Sequence, residues 1–254
     1  MQEDFKHIAD ILFEKMQPRL AAMIEEAIQR HIDSLWIAMD HAVFNNVPGD
    51  YLEFGVREGH SVVRAYRAYH HYRNQMLAIA NRLGAKDEVV SSMRFFAFDA
   101  FDEGLPEAKG PDATPQRSPH WRPGSMASPL DVFWKNMQKA GVQESELVVF
   151  KGYFENTLSK VNFDNCNLTR AAVIHLDCDY YESTATALRA CEKLIGLGTI
   201  IIFDDFFRYQ GSETHGQYLA FKEFCVSNPM LSFREMSRAH GNSTVFICSA
   251  VSSQ

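Results

Sequence analysis

AAVIHLDCD (171–179) and GTIIIFDDF (198–206) are nearly unbroken apolar runs, and each closes on paired aspartates. A strand with one wet face alternates apolar and polar residues, whereas a strand covered on both faces reads as a continuous apolar run. The two segments are therefore read as strands buried inside a parallel sheet. A helix predicted from Thr184 to Ile195 links them.

The same order repeats on either side. YLEFGV (51–56) is a short apolar strand, followed by a helix from Ser61 to about Leu83. FFAFDA (95–100) is a second strand, and a helix from Pro129 to Ala140 leads to a third, LVVFKGYF (147–154). A helix from about Gln217 to Ser227 precedes LSFREMS (231–237) and STVFICSA (243–250). Strands alternating with helices, without a tight-turn signal after each strand, predict an α/β, doubly wound, Rossmann-like sheet. Ahead of it, Ile8, Ile11, Leu12 and Met16, then Leu20, Ile24 and Ile28 beyond Pro18, recur at helical spacing. Residues 1–48 are thus expected to form a helical cap or an oligomerisation surface, with the α/β domain over 49–254. The stretch from Leu105 to Pro129 is rich in Pro, Gly and Ser. So long an irregular segment within a compact domain is expected to be a lid or binding loop.

Composition narrows the partners. The 254 residues are 46% hydrophobic and 22% charged, which suits one globular domain with additions. A net charge of −7 lacks the basic footprint of a nucleic-acid binder. No apolar stretch approaches a membrane span. MQEDFKHIADILFEK lacks the basic start and apolar run of a secretory signal. Five cysteines without a CxxC show neither a disulfide framework nor a zinc pattern. The setting expected is reduced and cytoplasmic.

Three constellations carry chemistry. In Glu53-Phe54-Gly55-Val56-Arg57-Glu58-Gly59-His60-Ser61, a strand gives way to a helix. Glycines allow a tight turn and close approach of a ligand, although GxxxG does not meet the dinucleotide fingerprint and a plain turn would read the same. Glu53 lies within an apolar strand and needs a cationic or polar partner, which a ligand amino group would supply. Asp99 ends the second strand, where an acidic residue binds ribose hydroxyls in such folds, or else caps a turn. The third set is Asp177-Cys178-Asp179 with Asp204-Asp205. If their strands are neighbours, four carboxylates meet at the strand ends where ligands of open α/β sheets bind. Alternation would turn 177 and 179 to one face. Like charges so placed repel, and a hard divalent cation would relieve them. Separate helix-capping aspartates are the plainer alternative. His175, inside an apolar strand, reads as a core histidine. His60, His120 and His215 read as surface residues near the strand ends, and Trp121 as a ring that could stack on a substrate.

GDYLEFGVREGHS (49–61), FDAFDEGLPE (98–107), GYFENTL (152–158), HLDCDYYESTATAL (175–188), IIIFDDF (200–206) and HGQYLAFKEF (215–224) together resemble the macrocin O-methyltransferase family. These are metal-dependent enzymes that methylate sugar hydroxyls. The resemblance implies a class I methyltransferase fold with seven strands, the last antiparallel. It implies S-adenosylmethionine contacts at Glu53, Gly55, Gly59 and Ser61, the ribose at Asp99, and the adenine near Gly152, Tyr153 and Phe154. It makes Asp177, Asp204 and Asp205 ligands of Mg²⁺ or Mn²⁺, and Asp179 the general base. Gly196-Leu197-Gly198 and Phe206 depart from the family's common pattern. The acceptor expected is a hydroxyl of a small molecule, a sugar of a natural product or glycan. Rival readings are a metal-dependent glycosyltransferase, with Asp177-Cys178-Asp179 holding a nucleotide sugar, and a non-catalytic binding protein of the same fold.

Overall fold

The computed structural model describes residues 33–85, 92–159, 163–237 and 241–252. The helices expected over residues 3–32 lie outside the described residues. Six helices are used below: α1 (Ser34–Phe44), α2 (His60–Arg82), α3 (Leu130–Ala140), the single turn α4 (Phe154–Thr157), α5 (Tyr181–Cys191) and α6 (Gly216–Ser227). The strands are β1 (Asp50–Phe54), β2 (Phe95–Asp99), β3 (Leu147–Lys151), β4 (Ala171–Leu176), β5 (Ile200–Phe203), β6 (Leu231–Ser237) and β7 (Thr244–Val251).

One seven-stranded sheet runs β3-β2-β1-β4-β5-β7-β6. The pairs from β3 to β5 are parallel, and β7 is antiparallel to both β5 and β6. This is the class I methyltransferase topology. The apolar runs explain why the middle strands sit where they do. All of β1, β4 and β5 is buried. On one face Tyr51, Phe95, Ala97, Val173, Ile200 and Ile202 pack with Leu35, Val62 and Phe133 of α1, α2 and α3. On the other, Phe54, Phe98, Ile174, Ile201 and Phe203 meet Phe154, Leu188 and Phe221 of α4, α5 and α6.

Several boundaries differ from the sequence expectation, among them the fifth strand, which spans only Ile200–Phe203 and leaves Asp204 and Asp205 beyond it. The third strand stops at Lys151, because Gly152 turns the chain at a φ of +131° and Phe154 already begins α4. The fourth stops at Leu176, so Asp177 and Asp179 lie beyond it. Asp179 has a φ of +62°, and the alternation argument for these residues therefore does not apply. The helix expected from Thr184 begins at Tyr181. The long loop between β2 and α3 is irregular as expected, but its two ends are joined. Leu105 donates its N–H to the Ser125 carbonyl at 2.7 Å, and Gly124 donates to that of Leu105 at 2.9 Å.

Candidate active site

The parallel ladder continues one hydrogen bond past each strand. Gly152 N–H donates to Asp99 O at 2.8 Å, Gly55 to Phe98 O at 2.9 Å, Asp177 to Phe54 O at 2.9 Å and Asp204 to Leu176 O at 3.0 Å. These bonds set Gly152, Asp99, Gly55, Asp177 and Asp204 in a row along the carboxyl edge. The strand order reverses between β1 and β4, the switch point at which doubly wound sheets bind ligands. A pocket opens there, lined by Gly55, Asp99, Tyr153, Phe154, Asp177 and Asp179. Arg57 and Ser183 also reach it, as do Leu105, Pro106 and Met126 from the two ends of the long loop.

Gly55 is required by the backbone itself. Its φ is +96°, and a Cβ added there would stand 1.8 Å from the Asp177 carbonyl oxygen. Gly59 precedes α2 at a φ of +79°, and its added Cβ would strike Met137 and Phe133 of α3. Both glycines thus serve chain packing, and only Gly55 also lines the pocket.

Glu53 and Ser61 stand behind the pocket. Glu53 is fully buried and finds its partners within the chain. Tyr51 Oη donates to Glu53 Oε2 at 2.5 Å, and Ser61 Oγ donates to Oε1. His175 Nδ1 lies 3.7 Å from Oε1 and 3.3 Å from Tyr51 Oη. Burial, the largest single influence, disfavours charge on His175, but Glu53, Asp177 and Asp204 together outweigh it, and its pKa is pushed up to about 9. The buried acid in this strand is therefore paired with a buried base beside it in register. His175 is a core histidine, and it is also Glu53's partner.

Asp99 faces the pocket from the end of β2. Its Oδ2 accepts the Arg57 N–H at 2.8 Å and its Oδ1 the Phe101 N–H at 2.5 Å. The Val56 amide also faces the carboxylate, which keeps lone-pair capacity beyond these three donors for a ligand hydroxyl. Burial raises its pKa, against the pull of these amide donors.

The acidic residues that follow β4 and β5 converge. One oxygen from each of Asp177, Asp204 and Asp205 lies within 4.8 Å of the others. Burial, then Asp204, raises the Asp177 carboxyl well above its ordinary value. Burial, then Asp205 and Asp177, does the same to Asp179. Burial raises Asp205 too, although Arg208 opposes this by donating from Nε to its Oδ1 at 2.8 Å. Such a donor set fits a hard divalent cation. Oxygens bound to one ion at about 2.1 Å lie at most about 4.2 Å apart, so a small inward movement would complete the contact. Asp179 lies within hydrogen-bond reach of Asp205.

Two site residues were not singled out from the sequence. Gln217 is fully buried, accepts the Asp205 N–H at 2.9 Å and donates to the Leu176 carbonyl at 2.9 Å. Arg208 binds Asp205 and lies over the Trp121 ring. No periodicity marks either residue. Trp121, expected as a stacking surface, is buried against Tyr180 and Tyr209. His60 and His120 are exposed, and His215 stacks on Tyr209 at the start of α6.

A seven-stranded sheet with this strand order, and a ligand pocket beside carboxylates at its switch point, define the class I methyltransferase architecture. Residues 14–230 match the macrocin-O-methyltransferase (TylF) family, and the chain belongs to it. It is 28% identical over 179 residues, 70% of this chain, to the 8-demethyl-8-(2,3-dimethoxy-alpha-L-rhamnosyl)-tetracenomycin-C 4'-O-methyltransferase of Streptomyces olivaceus. It is 23% identical over 181 residues, again 70% of the chain, to the demethyldecarbamoylnovobiocin O-methyltransferase of Streptomyces niveus. Each alignment spans 60% of the relative's own length. Among solved structures, the O-methyltransferase NovP superposes with a TM-score of 0.64 at 19% identity, over 87% of this chain and 80% of that one. CalS11, a calicheamicin methyltransferase, gives 0.58 at 17% identity over 96% and 85%. Family and fold both speak against the nucleotide-sugar reading of Asp177-Cys178-Asp179.

Proposed function

We propose that this chain transfers the methyl group of S-adenosylmethionine to a hydroxyl of a small-molecule acceptor, a sugar of a natural product or glycan. In this reading Asp177, Asp204 and Asp205 hold Mg²⁺ or Mn²⁺, and Asp179 is the general base. The observation that carries it is one pocket lined by Gly55, Asp99, Tyr153 and Phe154 together with Asp177 and Asp179, Asp177 being within 4.8 Å of Asp204 and Asp205. The names of the relatives, acting on rhamnosyl-tetracenomycin and novobiocin compounds, support the acceptor class.

Each residue has a task. Asp99 accepts from the ribose hydroxyls through its remaining lone pairs. Gly55 lets the cofactor approach the backbone, and Tyr153 and Phe154 flank the adenine beyond Gly152. Glu53, Ser61 and Gly59 shape the β1–α2 turn from behind. The divalent cation, when bound, supplies Lewis-acid polarisation of an acceptor hydroxyl. Asp179, on the pocket wall beside the acidic trio, takes the proton. Holding donor and acceptor in line supplies much of the rate.

The remaining partners follow the same reading. No nucleic acid or membrane partner is proposed, and among the described residues no helix is long and apolar enough to cross a membrane. A reduced, cytoplasmic setting is proposed from the cysteine pattern of the sequence alone. A homo-oligomer through residues 1–48 is proposed from the apolar spacing over residues 8–28 alone, which lie outside the described residues, because the apolar face of α1 already packs on the sheet. Calorimetry tests the core of the proposal. S-adenosylhomocysteine should bind and uridine diphosphate should not, with or without Mn²⁺. The opposite ranking would sink the methyl-transfer reading.

A further inference from the structure

One residue of the long loop reaches both halves of the acidic site. Asp112 is only 1% exposed. Its Oδ2 accepts the Tyr181 N–H at 2.5 Å, and its Oδ1 accepts the Gly216 N–H at 2.9 Å. Those residues open α5 and α6, and neither helix has a side-chain cap from its own flanking residue. A loop carboxylate therefore satisfies two orphan helix donors that a neighbouring Ser, Thr, Asn or Asp would ordinarily satisfy.

Both helix starts adjoin the carboxylates. Tyr181 follows Asp179 by two residues. Gly216 precedes Gln217, which is hydrogen-bonded to the Asp205 amide and to the Leu176 carbonyl. Hydrogen bonds and short backbone links thus lead from the loop through Asp112 to the ends of β4 and β5. A second attachment is independent of it. Trp121 meets Tyr180 edge-on at 5.7 Å, and Arg208, itself bound to Asp205, lies 5.7 Å over the Trp121 ring. The same loop supplies Leu105, Pro106 and Met126 to the pocket wall.

We propose that Asp112 is a positioning residue that fastens loop 105–129 to the acidic strand ends, so that seating of the loop and placement of Asp179 and Asp205 set one another. The inference rests on the methyl-transfer site proposed above. A buried carboxylate is costly unless its acceptors are paired, and here both pairs tie the loop to the site.

Asp112→Asn keeps one acceptor oxygen and so releases one helix start. In the full chain, Mn²⁺ affinity measured by calorimetry should fall about tenfold, the scale of a lost outer-shell partner. S-adenosylhomocysteine affinity should stay within about twofold, because the loop ends that line the pocket remain joined by the Leu105–Ser125 and Gly124–Leu105 bonds, a split that general loosening would not produce. Unchanged Mn²⁺ affinity, or both affinities falling together, overturns the proposal. If the unsubstituted chain binds no Mn²⁺, the metal reading fails by itself. Amide hydrogen exchange then decides, since faster exchange over 204–208 in the variant supports the link and unchanged exchange overturns it. If the variant does not fold, exchange in the unsubstituted chain decides. The amides of Tyr181 and Gly216 should open together with residues 105–129, and a loop that opens independently overturns the link.

Discussion

Asp179 sits in the left-handed region, at a φ of +62°. That conformation costs a non-glycine residue about 1–2 kcal/mol and persists only where its surroundings hold it. The turn carries its carboxyl back toward Asp205, which strand alternation would not have done. Asparagine tolerates the same backbone, so Asp179→Asn removes the proposed base and keeps the turn. The variant should methylate its acceptor about 10²- to 10⁴-fold more slowly, while its S-adenosylhomocysteine affinity stays near that of the parent. A single-turnover rate equal to the parent's would remove Asp179 from its assigned role. The identity of this residue was legible in the motif. Its geometry was not, because a run of apolar residues does not show where the strand stops.

At the level of elements, the site depends on how closely β1 and β4 approach at their carboxyl ends. An added Cβ at Gly55 would stand 1.8 Å from the Asp177 carbonyl oxygen, and neither backbone can rotate out of the way as a side chain could. Gly55→Ala should therefore cost about 3 kcal/mol or more of folding free energy, from strain at positive φ and displacement of β4. Urea denaturation measures it, and a loss below about 1 kcal/mol would show that the approach is relaxed in solution. The sequence marked Gly55 as a turn residue open to a ligand. That the strongest demand on it comes from another strand is a matter of sheet order. Glu53 teaches the same point. Its burial in an apolar strand called for a partner, and the fold supplies Tyr51, Ser61 and His175 from three different elements.

For the whole molecule, the acidic cluster ties stability to pH. Asp177, Asp179 and Asp205 all have folded-state pKa values raised above those of the unfolded chain, chiefly by burial. Their contribution to stability is fully present below about pH 4, the unfolded value. It is lost as pH rises through the raised folded values, because the native state must then carry unrelieved like charge. A divalent cation binds the deprotonated forms, so its affinity should increase with pH. Mn²⁺ or Mg²⁺ should accordingly raise the melting temperature more at pH 8 than at pH 5.5, as followed by scanning calorimetry. An equal gain at both pH values would separate cation binding from these carboxylates.

Local pattern determined much of this protein without any structure. Apolar runs marked the strands, helical spacing marked the crossovers, and aspartates at strand ends marked a candidate site, because hydrophobic period and strand termination are properties of neighbouring residues. Only the tertiary structure decided that β4 lies between β1 and β5, and with it that Asp177, Asp204 and Asp205 share one volume. It also decided that His175 answers Glu53, that Trp121 is packed away, and that Asp112 and Gln217 brace the strand ends. Those outcomes join residues remote in the chain, and they follow from the order in which the strands hydrogen-bond, which no local period encodes.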